Sequence, residues 1–148
     1  MSEIRLASEG DLSGVAALER ECFSDPWSED SFRSELGEDS IFLVCGADGI
    51  DGFCILRLLT PDCEILNVAV RKEARRSGVG KALLQEAVTL AEGKGADTFF
   101  LEVREQNIPA RALYKALGFT AIGRRKRYYS HPTEDAILMQ LRKDDEKC

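Results

Sequence analysis

Apolar residues recur along the chain with two different periods, and the changes of period mark out its elements. From Asp11 onward, Leu12, Val15, Ala16, Leu18 and Cys22 fall on one face of a 3.6-residue repeat, which predicts a first helix. Ser28, after Pro26-Trp27, is placed to cap a shorter helix that carries Phe32 and Leu36 and ends at Gly37. Apolar runs from Ile41 to Cys45 and from Phe53 to Leu59 flank Asp48-Gly49-Ile50-Asp51-Gly52, whose glycines suit a tight hairpin turn. A third run, Cys63 to Val70, follows Pro61-Asp62, and the three together predict an antiparallel meander.

The second half changes rhythm. Val79, Leu83, Leu84, Ala87, Val88 and Ala91 repeat as a helix face up to Gly93 and Gly95, and Thr98 to Val103 reads as a strand. A strand, a helix and another strand in succession predict parallel pairing. Asn107 is set to cap a further helix with Pro109 in its first turn, Leu113 and Leu117 facing inward and Gly118 at its end. Final strands are predicted from Phe119 to Arg124 and from Asp135 to Leu141. The sum is a mixed α/β (α+β) single domain over residues 1–142, with a frayed tail over 143–148.

Composition narrows the classes. At 148 residues, 44% hydrophobic and 31% charged, the chain has the balance of one domain with a real core. No apolar run approaches the ~18–20 residues of a membrane span, and Glu3, Arg5, Glu9 and Asp11 stand where a secretory segment would be apolar. A cytoplasmic protein without a membrane partner is expected. The net charge of −6 argues against broad nucleic-acid binding, although five cations lie between Arg71 and Lys81 and four run from Arg124 to Arg127. Those last four read as a solvated strand end. The five cysteines (Cys22, Cys45, Cys54, Cys63, Cys148) contain no Cys-x-x-Cys pair, so reduced thiols and no metal are expected. The single histidine, His131, sits in a polar turn before Pro132.

Within this acidic chain, Arg75-Arg76-Ser77-Gly78-Val79-Gly80-Lys81 opens an apolar helical repeat. A phosphate-binding P-loop would need glycine at Arg75 and serine or threonine at Ala82, and the dinucleotide fingerprint would need glycine at Leu83. What remains is an anion cradle of main-chain N–H groups at a helix start, surrounded by cations.

With this stretch the sequence resembles the GNAT family of N-acetyltransferases, whose coenzyme motif Gln/Arg-x-x-Gly-x-Gly/Ala is matched by Arg75, Gly78 and Gly80. Asn67-Val68-Ala69-Val70 resembles the family's strand before the cradle, and Ala112 to Phe119 resembles its second signature. Pro26-Trp27-Ser28, Leu101 to Arg104, Asn107, Arg127-Tyr128-Tyr129 and Glu134-Asp135-Ala136 are similar to the bacterial ribosomal-protein alanine N-acetyltransferases within that family. Thr133 stands where those relatives often carry arginine.

The resemblance implies a central mixed, mostly antiparallel sheet of about seven strands with about four helices and a splayed parallel strand pair. It implies acetyl-CoA as cosubstrate, held by Val68, Ala69, Val70, Arg75, Arg76, Ser77, Gly78, Val79, Gly80, Lys81 and Asn107, with Arg71 a further phosphate contact. It makes Glu102 the general base and Tyr114 the general acid, and has the N–H of Val68 hold the carbonyl oxygen. Trp27, Tyr128 and Tyr129 become walls for the acceptor, the N-terminal alanine of a small-subunit ribosomal protein. Glu29, Asp30, Glu35, Glu38 and Asp39 would attract such a basic partner.

Each of these residues also has a simpler role open to it. Strand alternation puts Phe100, Glu102 and Arg104 on one face, so Glu102 is also explained by an ion pair with Arg104. Tyr114 turns away from the Leu113/Leu117 stripe, a position that suits a tyrosine packed on a helix surface. Asn107 has a sufficient role as an N-cap, and Trp27 as core. Acceptors in the form of lysine, a polyamine or another small amine remain alternatives, as does a non-catalytic acyl-CoA-binding or ribosome-docking module.

Overall fold

The meander predicted between Ile41 and Val70 forms as three antiparallel strands, β2 (Ser40–Cys45), β3 (Gly52–Leu59) and β4 (Asp62–Val70). In this computed structural model, which describes residues 3–143, they belong to one seven-stranded sheet in the order β1-β2-β3-β4-β5-β7-β6. The other strands are β1 (Ile4–Leu6), β5 (Thr98–Arg104), β6 (Thr120–Tyr129) and β7 (Glu134–Arg142). Four helices pack on it: α1 (Leu12–Cys22), α2 (Glu29–Arg33), α3 (Val79–Gly93) and α4 (Ile108–Ala116).

Alternation along the strands divides the interior in two. On one face Cys54, Ile65, Phe99, Leu101 and Val103 meet the apolar stripe of α3 and the ring of Tyr114. On the other, Phe42, Phe53, Ile55 and Ala69 meet Leu12 and Val15 of α1 and Phe32 of α2. Phe32, which is fully buried, lies 5.5 Å edge-on to Phe53.

β4 and β5 run parallel, as the intervening helix requires, but they pair only at Asp62–Thr98, Cys63–Phe99 and Glu64–Phe100. Just beyond, the register between β3 and β4 shifts, leaving Leu66 without a partner opposite Ile55 and Leu56. An extra residue of this kind bends the strand that carries it. β4 stays paired with β3 as far as Val70, and β5 stays paired with β7 as far as Arg104, so the gap opens between them. This is the splay that the family resemblance implies.

The structure departs from the sequence expectations in four places. β1 was not foreseen, because three residues at a sheet edge carry no period; it pairs with Leu43–Cys45. The β2–β3 turn is a six-residue loop over 46–51 rather than a tight hairpin, closed by Asp51 N–H donating to the Cys45 carbonyl at 2.8 Å. α2 ends at Arg33, well before Gly37. β6 continues past Arg124 to Tyr129 because the Asp135 carboxylate accepts from Arg127 N–H at 2.9 Å across a register shift.

Lys143 N–H donates to the Asp97 carbonyl at 2.8 Å, and the rest of the tail expected to fray lies outside the described residues. Cys22, Cys45, Cys54 and Cys63 are free thiols, while Cys148 lies outside the described residues. Among the described residues no helix is long and apolar enough to cross a membrane.

The edge strand is fastened by a bidentate pair in which both Arg5 nitrogens reach Asp11 at 2.7 Å, while Ser8 N–H donates to the same carboxylate. These hydrogen bonds, Arg5 first, hold the Asp11 carboxyl at about 2. A depressed carboxyl stabilises the fold fully above its unfolded value and loses that contribution as pH falls through the folded one. Asp11→Asn is therefore expected to cost about 1 kcal/mol at pH 6, after allowance for screening at the exposed arginine. In thermal unfolding the difference from wild type should close as pH falls from about 4 towards 2.

Candidate functional site

The gap between β4 and β5 opens into a cleft of about 1220 Å³ that reaches both faces of the sheet. On the α3/α4 face its wall is the start of α3 and the inner side of α4; on the α1/α2 face it is the α1–α2 and β6–β7 connections.

The predicted cradle stands at the α3 end of the cleft. Arg76 (φ 66°) and Gly78 (φ 86°) both adopt left-handed backbone, a conformation that in alternation with right-handed residues gathers successive N–H groups into an anion-binding concavity. Ala82 N–H is the first to bond back, to the Gly78 carbonyl at 2.9 Å, so the amides of Val79, Gly80 and Lys81 have no partner within the helix. A β-carbon at position 80 would lie 3.3 Å from Leu113 Cδ2 and 3.4 Å from Val70 Cγ2, so glycine lets α3 start hard against α4 and β4.

Side chains around the cradle divide by whether they are already engaged. Arg75 Nε donates to the Val70 carbonyl at 3.0 Å, which fastens the loop to β4. Arg76 and Lys81 are exposed and make no ion pair among the described residues. Arg71, foreseen as a phosphate contact, is instead paired with Asp51 at 2.8 Å and lies outside the cleft wall. Ser77 is also outside that wall, its hydroxyl donating to the Ala74 carbonyl.

Tyr114 and Glu102 enter the cleft from opposite faces. The simpler alternative of a tyrosine on the surface of α4 does not hold: Tyr114 is 8% exposed and sits edge-on to Phe119 at 5.8 Å. Leu113 covers Gly80, leaving the space beside the splayed strands to the larger ring. Burial drives the Tyr114 phenol far above its ordinary range, and among the described residues no hydrogen bond reaches its hydroxyl. Asn107 keeps its role as cap, its Oδ1 accepting from Ala110 N–H at 3.2 Å, and also lines the cleft.

Glu102 points away from Leu101 and Val103, and so lies on the α1/α2 face. The ion pair with Arg104 that offered a simpler explanation does not form, because residues two apart on a strand are about 6–7 Å apart and nearer partners lie on β6 and β7. Glu102 Oε1 is 3.3 Å from Arg125 Nε, and the same carboxylate, lying beside Tyr128, raises that phenol above its ordinary range. Tyr128 does not itself line the cleft. Arg104 donates to the carbonyls of Ser130 and Pro132, pairs with Glu134 at 3.2 Å and lies over the Tyr129 ring at 4.4 Å. Burial, with the Glu102 charge behind it, pushes the Tyr129 phenol up to about 12. Arg104 thereby shapes the β6–β7 wall, which meets the α1–α2 wall where His131 Nδ1 lies 3.1 Å from Asp25.

On the opposite wall Trp27 is half-buried, stacked at 5.3 Å on Phe32, and its N–H donates to Glu19 at 3.1 Å. Glu19 was not foreseen, although position 19 falls on the same helical stripe as Leu12, Val15 and Ala16; an acid inside an apolar stripe is the signal that marks it. Of the acids expected to form an exposed patch, Glu35 is buried and binds Arg57 and Ser40, while Glu29 and Asp30 pair with Arg33. Val68, Ala69, Val70, Arg75, Arg76, Gly78, Val79, Gly80, Lys81, Glu102, Asn107, Tyr114, Trp27 and Tyr129 all line the one cleft. Among the described residues no group of three His, Cys, Asp or Glu could hold a metal ion.

Comparison with known proteins agrees with this geometry. The profile of the acetyltransferase (GNAT) family matches residues 12–119. A Bacillus subtilis protein with the provisional name of [ribosomal protein bS18]-alanine N-acetyltransferase is 39% identical over 132 residues, covering 87% of each chain. The crystal structure of the ribosomal-protein-S18-alanine N-acetyltransferase from Escherichia coli superposes with a TM-score of 0.88 at 34% identity, over 97% of this chain and 94% of that one. Arabidopsis thaliana NAA60 in complex with acetyl-CoA shares the fold, with a TM-score of 0.90 at 19% identity, over 97% of this chain and 99% of that one. By its sequence and by its whole fold, the chain belongs to the acetyltransferase (GNAT) family and is an N-acetyltransferase.

Proposed function

We propose that this enzyme transfers acetyl from acetyl-CoA to the N-terminal α-amine of a ribosomal protein that begins with alanine. The observation that carries the reading is the arrival of Glu102 and Tyr114 in one cleft from opposite faces of the sheet, the carboxylate on one side and a buried phenol on the other. The names of the Bacillus and Escherichia relatives support the choice of acceptor.

The cradle accounts for the donor. The unpaired amides of α3, with Arg76 and Lys81 beside them, suit a pyrophosphate, and the cleft that they line also reaches Val68 at the strand gap, where a thioester would lie. Beyond Glu64, where β4 has left β5, Val68 borders the gap, and its N–H is the group we assign to the thioester carbonyl oxygen.

Glu102 then receives a proton from the acceptor ammonium, directly or through one water. With a pKa near ~8 an α-amine needs only a modest base, whereas lysine, near ~10.4, needs a stronger one. As the amine nitrogen bonds to the carbonyl carbon and the carbon–sulfur bond breaks, the nitrogen releases its second proton to water, and Tyr114 gives its proton to the departing sulfur and is later reprotonated from solvent. Burial suits it to that role, because the phenol stays protonated at any pH at which the protein is assayed. Arg125 and Tyr128 hold the Glu102 carboxylate towards the gap, and Trp27 and Tyr129 flank the acceptor.

With an Ala-starting peptide, Glu102→Gln and Tyr114→Phe are each expected to lower kcat by about 10²–10⁴ while the KM for acetyl-CoA stays within a few-fold. Undiminished turnover in both contradicts the assignment, and acetylation of an N-blocked peptide contradicts the choice of amine. The double substitution Arg76→Ala/Lys81→Ala is expected to weaken coenzyme A binding about tenfold in calorimetry at low salt, and less at high salt. An unchanged affinity would remove the cradle from the account.

A further inference from the structure

The most deeply buried charged side chain in the described residues belongs to neither half of the proposed chemistry. Glu19 is 1% exposed, yet it lines the cleft. Among the described residues it makes no ion pair; its two oxygens are taken separately, Oε1 by Asn67 Nδ2 at 2.8 Å and Oε2 by the main-chain N–H of Trp27 at 3.1 Å. A buried carboxylate without a cation is costly, and two neutral donors offset that cost only in part. Burial accordingly raises the Glu19 carboxyl above its ordinary value, against the pull of those two hydrogen bonds. An apolar residue at this place on the α1 stripe would pack without that cost.

The two donors belong to separate pieces of backbone beside the gap. Asn67 is the residue just after the bulge at Leu66, on the length of β4 that has parted from β5. Trp27 ends the α1–α2 connection, immediately before the Ser28 cap of α2. Glu19 stands on a fixed helix between them. We infer that Glu19 is a positioning residue for the acceptor, clamping the main chain of Trp27 to the side chain of Asn67 and so fixing the cleft wall against which the first residue of the acceptor lies.

This rests on the reading of the α1/α2 face as the acceptor side. The donor cradle at α3 and the Tyr114 ring belong to other elements, and Val68, next to Asn67, is kept in place by its pairing with Cys54 on β3, so loss of the clamp should be felt by the peptide more than by the coenzyme. The clamp also has its own reporter, because Trp27 is the protein's only tryptophan.

Two variants test it. Glu19→Ala leaves both donors without an acceptor, so the KM for an Ala-starting peptide is expected to rise about tenfold or more while that for acetyl-CoA stays within about twofold. The emission of Trp27 should move to the red and its quenching by acrylamide should increase. The exchange Glu19→Gln/Asn67→Asp rebuilds the clamp with the charge on the strand: the new amide donates to the new carboxylate, and its oxygen still accepts from Trp27. That variant is expected to keep the peptide KM within about threefold of wild type and the Trp27 emission unchanged, and it serves as the working test if the alanine variant does not fold.

A folded Glu19→Ala with unchanged peptide KM and unchanged emission overturns the proposal. So does an equal rise in both KM values, or an exchange variant as impaired as the alanine one. If wild type acetylates no Ala-starting peptide, the acceptor assignment fails along with the functional reading, while the Trp27 emission still decides whether the clamp exists.

Discussion

The structure turns on a single loss of backbone pairing. Strands β4 and β5 are joined at three residue pairs and then part, because Leu66 is one residue more than β3 can match. Main-chain N–H and C=O groups facing a gap need partners, and a ligand can supply them where a strand does not. The same parting makes the sheet passable, so that groups on its two faces can act on one reacting centre. The rest of the site is arranged around that opening: the start of α3 on one side, the α1–α2 and β6–β7 connections on the other.

Environment divides the chemistry between the faces. Tyr114 lies in an apolar core beside Phe119, where the phenolate is disfavoured; in the proposed reaction its proton is held until an anion forms next to it. Glu102 lies across the strand with 30% of its side chain exposed, near Arg125 and Tyr128. One strand of alternating residues thus separates a buried phenol from a part-exposed carboxylate. The acceptor walls repeat the division. Arg104 and Glu19 each carry the charge of a residue that holds main chain, one fastening the β6–β7 connection and the other the connection before α2.

How much of this the sequence discloses follows from how local each determinant is. The helix faces, the meander, the Asn107 cap and the parallel pairing across α3 are written in short periods and single residues, and they are present where the pattern puts them. The turn that opens α3 is legible for the same reason, since Gly78 takes left-handed backbone there, whereas Gly80 serves contacts with Val70 and Leu113, 10 and 33 residues away. Arg71 and Ser77, expected at the coenzyme, lie outside the cleft wall and are engaged by Asp51 and Ala74, partners that no period encodes. The ion partner of Glu102 depends on the register of β5, β7 and β6, and the depth of Tyr114 depends on how much space the splay leaves. Glu19 was within reach of the pattern, as an acid on an otherwise apolar stripe, but its partners are 8 and 48 residues away.

The central claim is that donor and acceptor approach the strand gap from opposite faces of the sheet. A crystal structure with coenzyme A joined through its sulfur to the N-terminus of an Ala-starting peptide tests this most directly. The account predicts the diphosphate on the amides of Val79 to Lys81, the linking atoms between Val68 and Glu102, and the peptide leaving past Trp27 and Tyr129. A peptide that leaves along α4 on the coenzyme's own face, or linking atoms remote from the gap, would contradict it.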